Sequence, residues 1–458
     1  MRLTFAAGVL SLFSYVCHAS AEAAGSPGVA AVPDKYNTLP GVDWNRTYAP
    51  TEPQQIHLSF GSESKYARVQ FATLEQVDKA ILRYWPKSKK NRVSRYGKDW
   101  AFVDGGAEHR TIYLHDIKTE NLKPATIYSY QVGAAKNGNT TWSSVYEFHT
   151  ASKHNTFEFL AIADIGINNA VALPQIIKAA ESHKYDFLTL SGDQAYNMDD
   201  FNGLKGDEYM NLLQEVYAKV PYMGVPGNHE GAYNFSHYKN RFANLPFEES
   251  KSPNSLLYSF NYKSLHLVSF STEVYLTGTE DMIETAVNWL NSDLEKANKQ
   301  RDERPFIVVI THHPLYCSSQ GSDCTTTAKM LREGPLKADN VTRHDGLEPI
   351  LLKHKVDMLL TGHVHNYERT YPVANDSRTA ESYKNAPSYM QVITGNAGQP
   401  EGGAEFTSGP YKDWSAVRYS GYGFSTVRVS PTELTLTHHE AKKDGSLGRV
   451  IDEFTISK

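Results

Sequence analysis

Five short motifs carry most of the coordinating side chains in this 458-residue chain. In order they read D-x-G (Asp164, Gly166), G-D-x-x-Y (Asp193, Tyr196), G-N-H-E (Asn228, His229), V-x-x-H (His312) and G-H-x-H (His363, His365). Hydrolysis of a phosphate ester needs a nucleophile at mild pH and charge neutralisation on the transferring group, and two metal ions a few ångströms apart supply both. Aspartates and a tyrosinate are hard oxygen donors suited to a trivalent ion, whereas an amide oxygen and imidazoles suit a divalent one. His363 and His365 would have Cα atoms roughly 6.5–7 Å apart on an extended backbone. They can therefore straddle a metal pair.

Each motif follows an apolar run that must hold it: FEFLAIA, YDFLTLSG, VPYMGVPG, PFIVVIT and VDMLLTG. Such runs lack polar alternation, as expected of strands covered on both faces, and ligands in open α/β sheets gather at the carboxyl ends of strands. Between them, Ile283, Val287, Leu290 and Leu294 recur at helical spacing over 281–300. Residues 151–458 are thus expected to form a layered α/β domain of mixed sheets flanked by helices, completed by the strand-like SYMQVITGNAG, GFSTVRVS, ELTLTHHEA and VIDEFTIS. Over 51–150 the texture changes to short alternating strands separated by Gly, Asn and Lys turns, the pattern of a β-sandwich. Residues 24–50, rich in Ala, Gly and Pro, read as a lead-in segment.

The N-terminus combines Arg2, an apolar stretch from Phe5 to Cys17 and small residues around Ala19, Ala21 and Ala23, so 1–23 is expected to be a secretory signal. The apolar stretch is shorter than the roughly 20 residues of a spanning helix. Its removal leaves Cys317 and Cys324, close in sequence, as one disulfide in an exported chain or else as two free thiols. Sequons at Asn45, Asn139, Asn234, Asn340 and Asn375 fit a glycosylated, secreted or vacuolar-lysosomal protein. A net charge of −5 gives no reason to expect a nucleic-acid or anionic-membrane partner. Small phosphorylated substrates remain, because metal ions supply local positive charge. The oligomeric state stays open.

In order and spelling the motifs resemble the metallophosphoesterase superfamily, and more closely the purple acid phosphatases. General members have a histidine where this chain has Gly166, and here Tyr196 supplies a phenolate from the second motif. The resemblance extends through QQIHLSFG, HxPLYCS, NYERTYP and SGYGF, covering about residues 45–455. LKPATIYSYQV resembles the fibronectin type III strand with its corner tyrosine, a role that falls to Tyr128.

The resemblance implies Fe(III) held by Asp164, Tyr196, His365 and a bridging Asp193, with a divalent Zn, Fe or Mn ion on Asp193, Asn228, His312 and His363. It implies a secreted acid phosphatase that hydrolyses phosphate monoesters by attack of a metal-held hydroxide. His229 would touch the phosphate or protonate the leaving oxygen, and Asn228 would also face substrate. Plant members carry a histidine pair about nine residues past the V-x-x-H histidine, where this chain has Gly321 and Ser322. The loop resembles the animal and fungal type. His313 is then the nearest remaining imidazole, a substrate contact or a plain loop residue.

Glu230, Asn366 and Glu368 flank ligands and are candidates to orient them, against ordinary loop contacts. His183, His266, His344, His354, His438 and His439 fit no ligand spacing. Two other readings compete: a phosphodiesterase or nucleotide pyrophosphatase on the same site, and a glycan-binding protein with a vestigial metal domain.

Overall fold

The computed structural model describes residues 46–458; the expected signal, most of the lead-in segment and the Asn45 sequon lie outside them. The alternating strands of the first hundred described residues form two facing sheets. One runs in the order Gln54–Phe60, Ala67–Thr73, Thr111–Lys118, Lys98–Val103. The other orders Val93–Arg95, Lys79–Pro86, Ile127–Lys136 and Asn139–Trp142, with Tyr146–His149 also paired to Ile127–Lys136. Leu58, Val69, Phe71, Leu82, Tyr130 and Val132 fill the space between them. Tyr128 is buried and accepts the backbone N–H of Lys123 at 3.0 Å, the bond that defines a tyrosine corner.

The remaining chain builds two mixed sheets on a shared core. A five-stranded sheet runs Phe187–Leu190, Phe157–Ile162, Gly423–Val429, Glu433–Ala441, Leu447–Ser457. A seven-stranded sheet runs Leu257–Tyr262, Leu265–Phe270, Phe306–Ile310, Met358–Thr361, Met390–Thr394, Tyr367–Thr370, Ser415–Tyr419. Its middle four are parallel and buried along their whole length, which is why their sequences are predominantly apolar, with Phe306–Ile310 unbroken and polar residues such as His266, Ser269 and Gln391 elsewhere. The helix Glu280–Asn298 buries Ile283, Val287, Leu290 and Leu294, as their spacing requires. Thr279 caps it by accepting the Met282 N–H.

One expected strand differs. VPYMGVPG runs parallel beside Phe187–Leu190 through isolated bridges at Tyr222 and Val225 only. Pro221 and Pro226 lack a donor, and Tyr222 N–H turns instead to Leu58 O in the sandwich at 2.8 Å. No continuous strand can form there.

Sandwich and hydrolase halves meet through a buried polar network. Arg241, 1% exposed, donates to Gln55 Oε1 at 2.7 Å and pairs with Asp207 at 2.9 Å, while Arg110 pairs with the same carboxylate. His237 meets Asp104 at 2.7 Å, and Tyr130 donates its hydroxyl to Ala218 O at 2.8 Å.

Candidate metal centre

Asp164, Asp193, His312 and His363 lie just past the ends of Phe157–Ile162, Phe187–Leu190, Phe306–Ile310 and Met358–Thr361, so adjacent strands deliver them to one edge. The chain pays for the final turn with backbone strain. Asp164, Asp193, Tyr196 and His363 all have positive φ, from 50° to 65°, and such conformations persist only where surrounding structure imposes them. Gly192, at φ +88°, is obligatory: a Cβ there would stand 2.2 Å from His312 Nδ1. At Gly166 a Cβ would lie 3.2 Å from Tyr196 Cδ2, so the phenol ring uses the space beside that glycine.

The donors fall into two groups. In one, Tyr196 Oη is 3.0 Å from His365 Nε2, which is 3.7 Å from Asp164 Oδ1. In the other, His312 Nε2 lies 2.9 Å from Asn228 Oδ1 and 3.2 Å from His363 Nδ1, and His363 Nδ1 is 3.1 Å from the same amide oxygen. Asp193 reaches into the second group, with Oδ2 3.2 Å from His312 Nε2. Coordinating atoms of Asp164, Asp193 and His312 all fall within 4.8 Å of one another. The outward nitrogens are held too. His312 Nδ1–H donates to Ser191 O at 2.8 Å, His365 Nδ1–H donates to Gly402 O at 2.9 Å, and His363 Nε2 stands 3.4 Å from Asp323 Oδ1. Each ring is thereby turned to present one lone pair inward.

Electrostatics make the same point. Burial, reinforced by Asp193, raises the Asp164 carboxyl well above the carboxylate range. Burial and then the two carboxylates Asp164 and Asp193 push the Tyr196 phenol up. Glu230 rises to about 7 through burial and the neighbouring Asp193 charge. At His312 burial acts downward, but Asp193 outweighs it and lifts the imidazole to about 10. Acids forced to keep protons around crowded imidazoles are a donor set that cations would relax. The residues therefore fit a metal pair.

His229 sits at the rim. Its Nδ1–H donates to Asn197 Oδ1 at 2.9 Å, and its Nε2 lies 3.3 Å from Glu401 Oε1 and 4.0 Å from Asp193 Oδ2. His313 is buried, with its ring centroid 3.7 Å from that of His363. Its Nε2 is 3.0 Å from Glu273 Oε1, yet neither ring nitrogen makes a well-directed hydrogen bond among the described residues. Burial lowers it to about 4. Glu230 accepts the N–H groups of Asp193, Gln194 and Gly227 at 2.8–3.0 Å, tying two ligand loops together. Cys317 and Cys324 are bonded. Asn197, Glu401, Asp323 and Glu273 escaped the sequence reading. Asn197 directly follows Tyr196, and Glu401 lies in the glycine-rich stretch after MQVIT, a strand that leads to the same edge.

The calcineurin-like phosphoesterase model matches residues 157–367, the purple acid phosphatase N-terminal domain 53–150, and the iron/zinc purple acid phosphatase-like C-terminal model 388–453. Acid phosphatase type 7 of Danio rerio is 34% identical over 422 residues, 89% of this chain and 92% of that protein. The chain belongs to the purple acid phosphatase family. This phosphatase is similarly 33% identical to acid phosphatase type 7 of Homo sapiens over 88% of its length and 90% of that protein's. Its fold matches a purple acid phosphatase from yellow lupin seeds with a TM-score of 0.70 at 22% identity, over 89% of this chain and 75% of that one. Membership makes it an enzyme of the acid phosphatase class and implies a dinuclear metal centre and small phosphorylated substrates. Among the described residues no helix is long and apolar enough to cross a membrane.

Proposed function

We propose that this phosphatase hydrolyses phosphate monoesters at a centre of Fe(III) and a divalent Zn, Fe or Mn ion. The observation that carries the reading is the convergence of Asn228 Oδ1, His312 Nε2 and His363 Nδ1 within 2.9–3.2 Å of one another beside a second, anionic group of donors. Asp164, Tyr196 and His365 would hold the trivalent ion, Asn228, His312 and His363 the divalent one, and Asp193 both. When bound, the pair supplies charge neutralisation and a nucleophile at acid pH.

The chain's own residues do the rest. Asn197 fixes the His229 ring so that Nε2 faces the site and can deliver a proton to the departing oxygen. Asn228, exposed at the rim, is also positioned to meet the phosphate. His313 is buried behind His363 with neither ring nitrogen exposed, so the geometry lends no support to a substrate contact there. Export is supported by the N-terminal apolar stretch, the Cys317–Cys324 bond and the exposure of Asn139, Asn234, Asn340 and Asn375 as glycan acceptors.

The test is metal analysis of the purified protein with kinetics on p-nitrophenyl phosphate against bis(p-nitrophenyl) phosphate. Stoichiometric iron plus a second metal and a preference for the monoester are expected; preference for the diester would reassign the site to phosphodiester hydrolysis.

A further inference from the structure

Four residues of the segment His363–Glu368, namely His363, Val364, Asn366 and Glu368, contact one stretch of chain. Cys317 and Cys324 pack against Val364, the residue between the two motif histidines. Ser319 Oγ accepts the Asn366 Nδ2–H at 2.8 Å. Ser318 donates its N–H to one Glu368 oxygen at 2.8 Å and its hydroxyl to the other at 2.5 Å. Asp323 reaches back to His363 Nε2 at 3.4 Å. All four contacts come from residues 317–324, which the disulfide closes into a ring. The ring also faces a strained residue, since His363 is held at φ +65°.

We infer that the disulfide-closed loop 317–324 is the support of the divalent-metal half of the centre, with Asp323 a positioning residue that turns His363 so that Nδ1 faces the ion. This rests on the proposed dinuclear reading. A ligating imidazole whose outer nitrogen meets a carboxylate is fixed in tautomer and angle, and losing such a partner typically weakens metal binding about 10- to 100-fold. Here the carboxylate opens the helical turn Asp323–Thr327, and the Cys317–Cys324 bond ties that turn to the segment that braces Asn366 and Glu368. Opening that bond should therefore act on His363 as removal of Asp323 does. The Tyr196 group has no contact with the loop through its own side chains: His365 is anchored by Gly402 O.

The experiment uses the full-length metallated protein and follows loss of each metal during challenge with a chelator, together with the visible spectrum. Asp323→Ala should speed loss of the second metal about 10- to 100-fold while the iron and its colour stay. Asp323→Asn, which keeps a hydrogen-bonding side chain, should fall between. The paired variant Cys317→Ser/Cys324→Ser should reproduce the Asp323→Ala behaviour, and adding Asp323→Ala to it should change little more, because the two act through one contact. Far-UV circular dichroism checks folding of each. Retention of the second metal within twofold of the parent in Asp323→Ala overturns the inference, as does equal loss of both metals. A parent protein that binds no metal pair overturns the proposed centre itself, a distinguishable failure.

Discussion

The two donor groups at the sheet edge are built from different chemistry. Around Tyr196 the donors are a carboxyl and a phenol that burial and mutual repulsion load with protons. Around His312 they are an amide oxygen and imidazoles, with Asp193 as the nearest anion. Without a cation the first group keeps its protons, and a strongly charged cation would displace them. The second is nearly neutral and asks only for a borderline ion. The asymmetry gives the two halves of the donor set different charge environments at one sheet edge.

The strongest way to break the comparison is to remove what the two groups share. Asp193→Ala should empty both sites and lower kcat by about 10³-fold or more; full dinuclear occupancy by metal analysis would remove the bridging role. Next, Tyr196→Phe should abolish the visible absorption band expected of a phenolate on trivalent iron, leaving the second metal in place. A parent protein that holds iron stoichiometrically and is colourless when oxidised would end the distinction between the groups. Asn228→Ala should do the converse, depleting the second metal by about tenfold or more at limiting metal with the colour retained.

Smaller effects sharpen the picture. His229→Asn should keep both metals and the colour, and lower kcat about 10²-fold for alkyl phosphates, but less for p-nitrophenyl phosphate, whose leaving group needs little protonation. Equal losses across leaving groups would assign His229 to phosphate positioning instead. Away from both groups, burial and then Arg241 hold His237 down at about 4, from 6.5. Between those values the unfolded chain binds the extra proton and the folded one does not. Stability is thus fully present above about 6.5 and falls as pH drops towards 4, by on the order of 3 kcal/mol. His237→Gln should flatten that part of a stability–pH curve measured by urea titration, without altering metal content.

Much of this molecule could be read from its sequence, and for a physical reason. Strands buried on both faces must be continuously apolar, so FIVVI and MLLT announced themselves and fixed where His312 and His363 emerge. The helix over Glu280–Asn298 followed from spacing, and the corner at Tyr128 from the resemblance of its strand to the fibronectin type III pattern. The segment before Asn228 misled, because hydropathy is blind to the missing donors of Pro221 and Pro226 and to the pull of Leu58 on Tyr222. The sandwich strands Lys79–Pro86, Val93–Arg95, Lys98–Val103 and Asn139–Trp142 are half-exposed, charged or short, so alternation alone does not mark them individually. Asn197 and Glu401 reach the site from loops, the first through left-handed backbone, and Asp323 from the start of a helical turn tied by the disulfide at Cys324. No local pattern encodes such reach.

The buried network around Arg241 gives the sandwich a mechanical standing. Asp207 lies on the helix Leu204–Tyr217, and Lys205 at its start donates to Tyr196 O. Arg241 ends the helix Ala232–Arg241, which begins shortly after Asn228. Both helices thus connect a ligand loop to Gln55, Asp104 and Arg110 of the sandwich, the first within a single turn from Lys205 to Asp207 and the second along its length to His237 and Arg241. A fragment cut to the hydrolase half would leave a fully buried guanidinium facing water on one side, with both helices unfastened. The same contacts place the sandwich a few bonds from Tyr196 in one donor group and from Asn228 in the other.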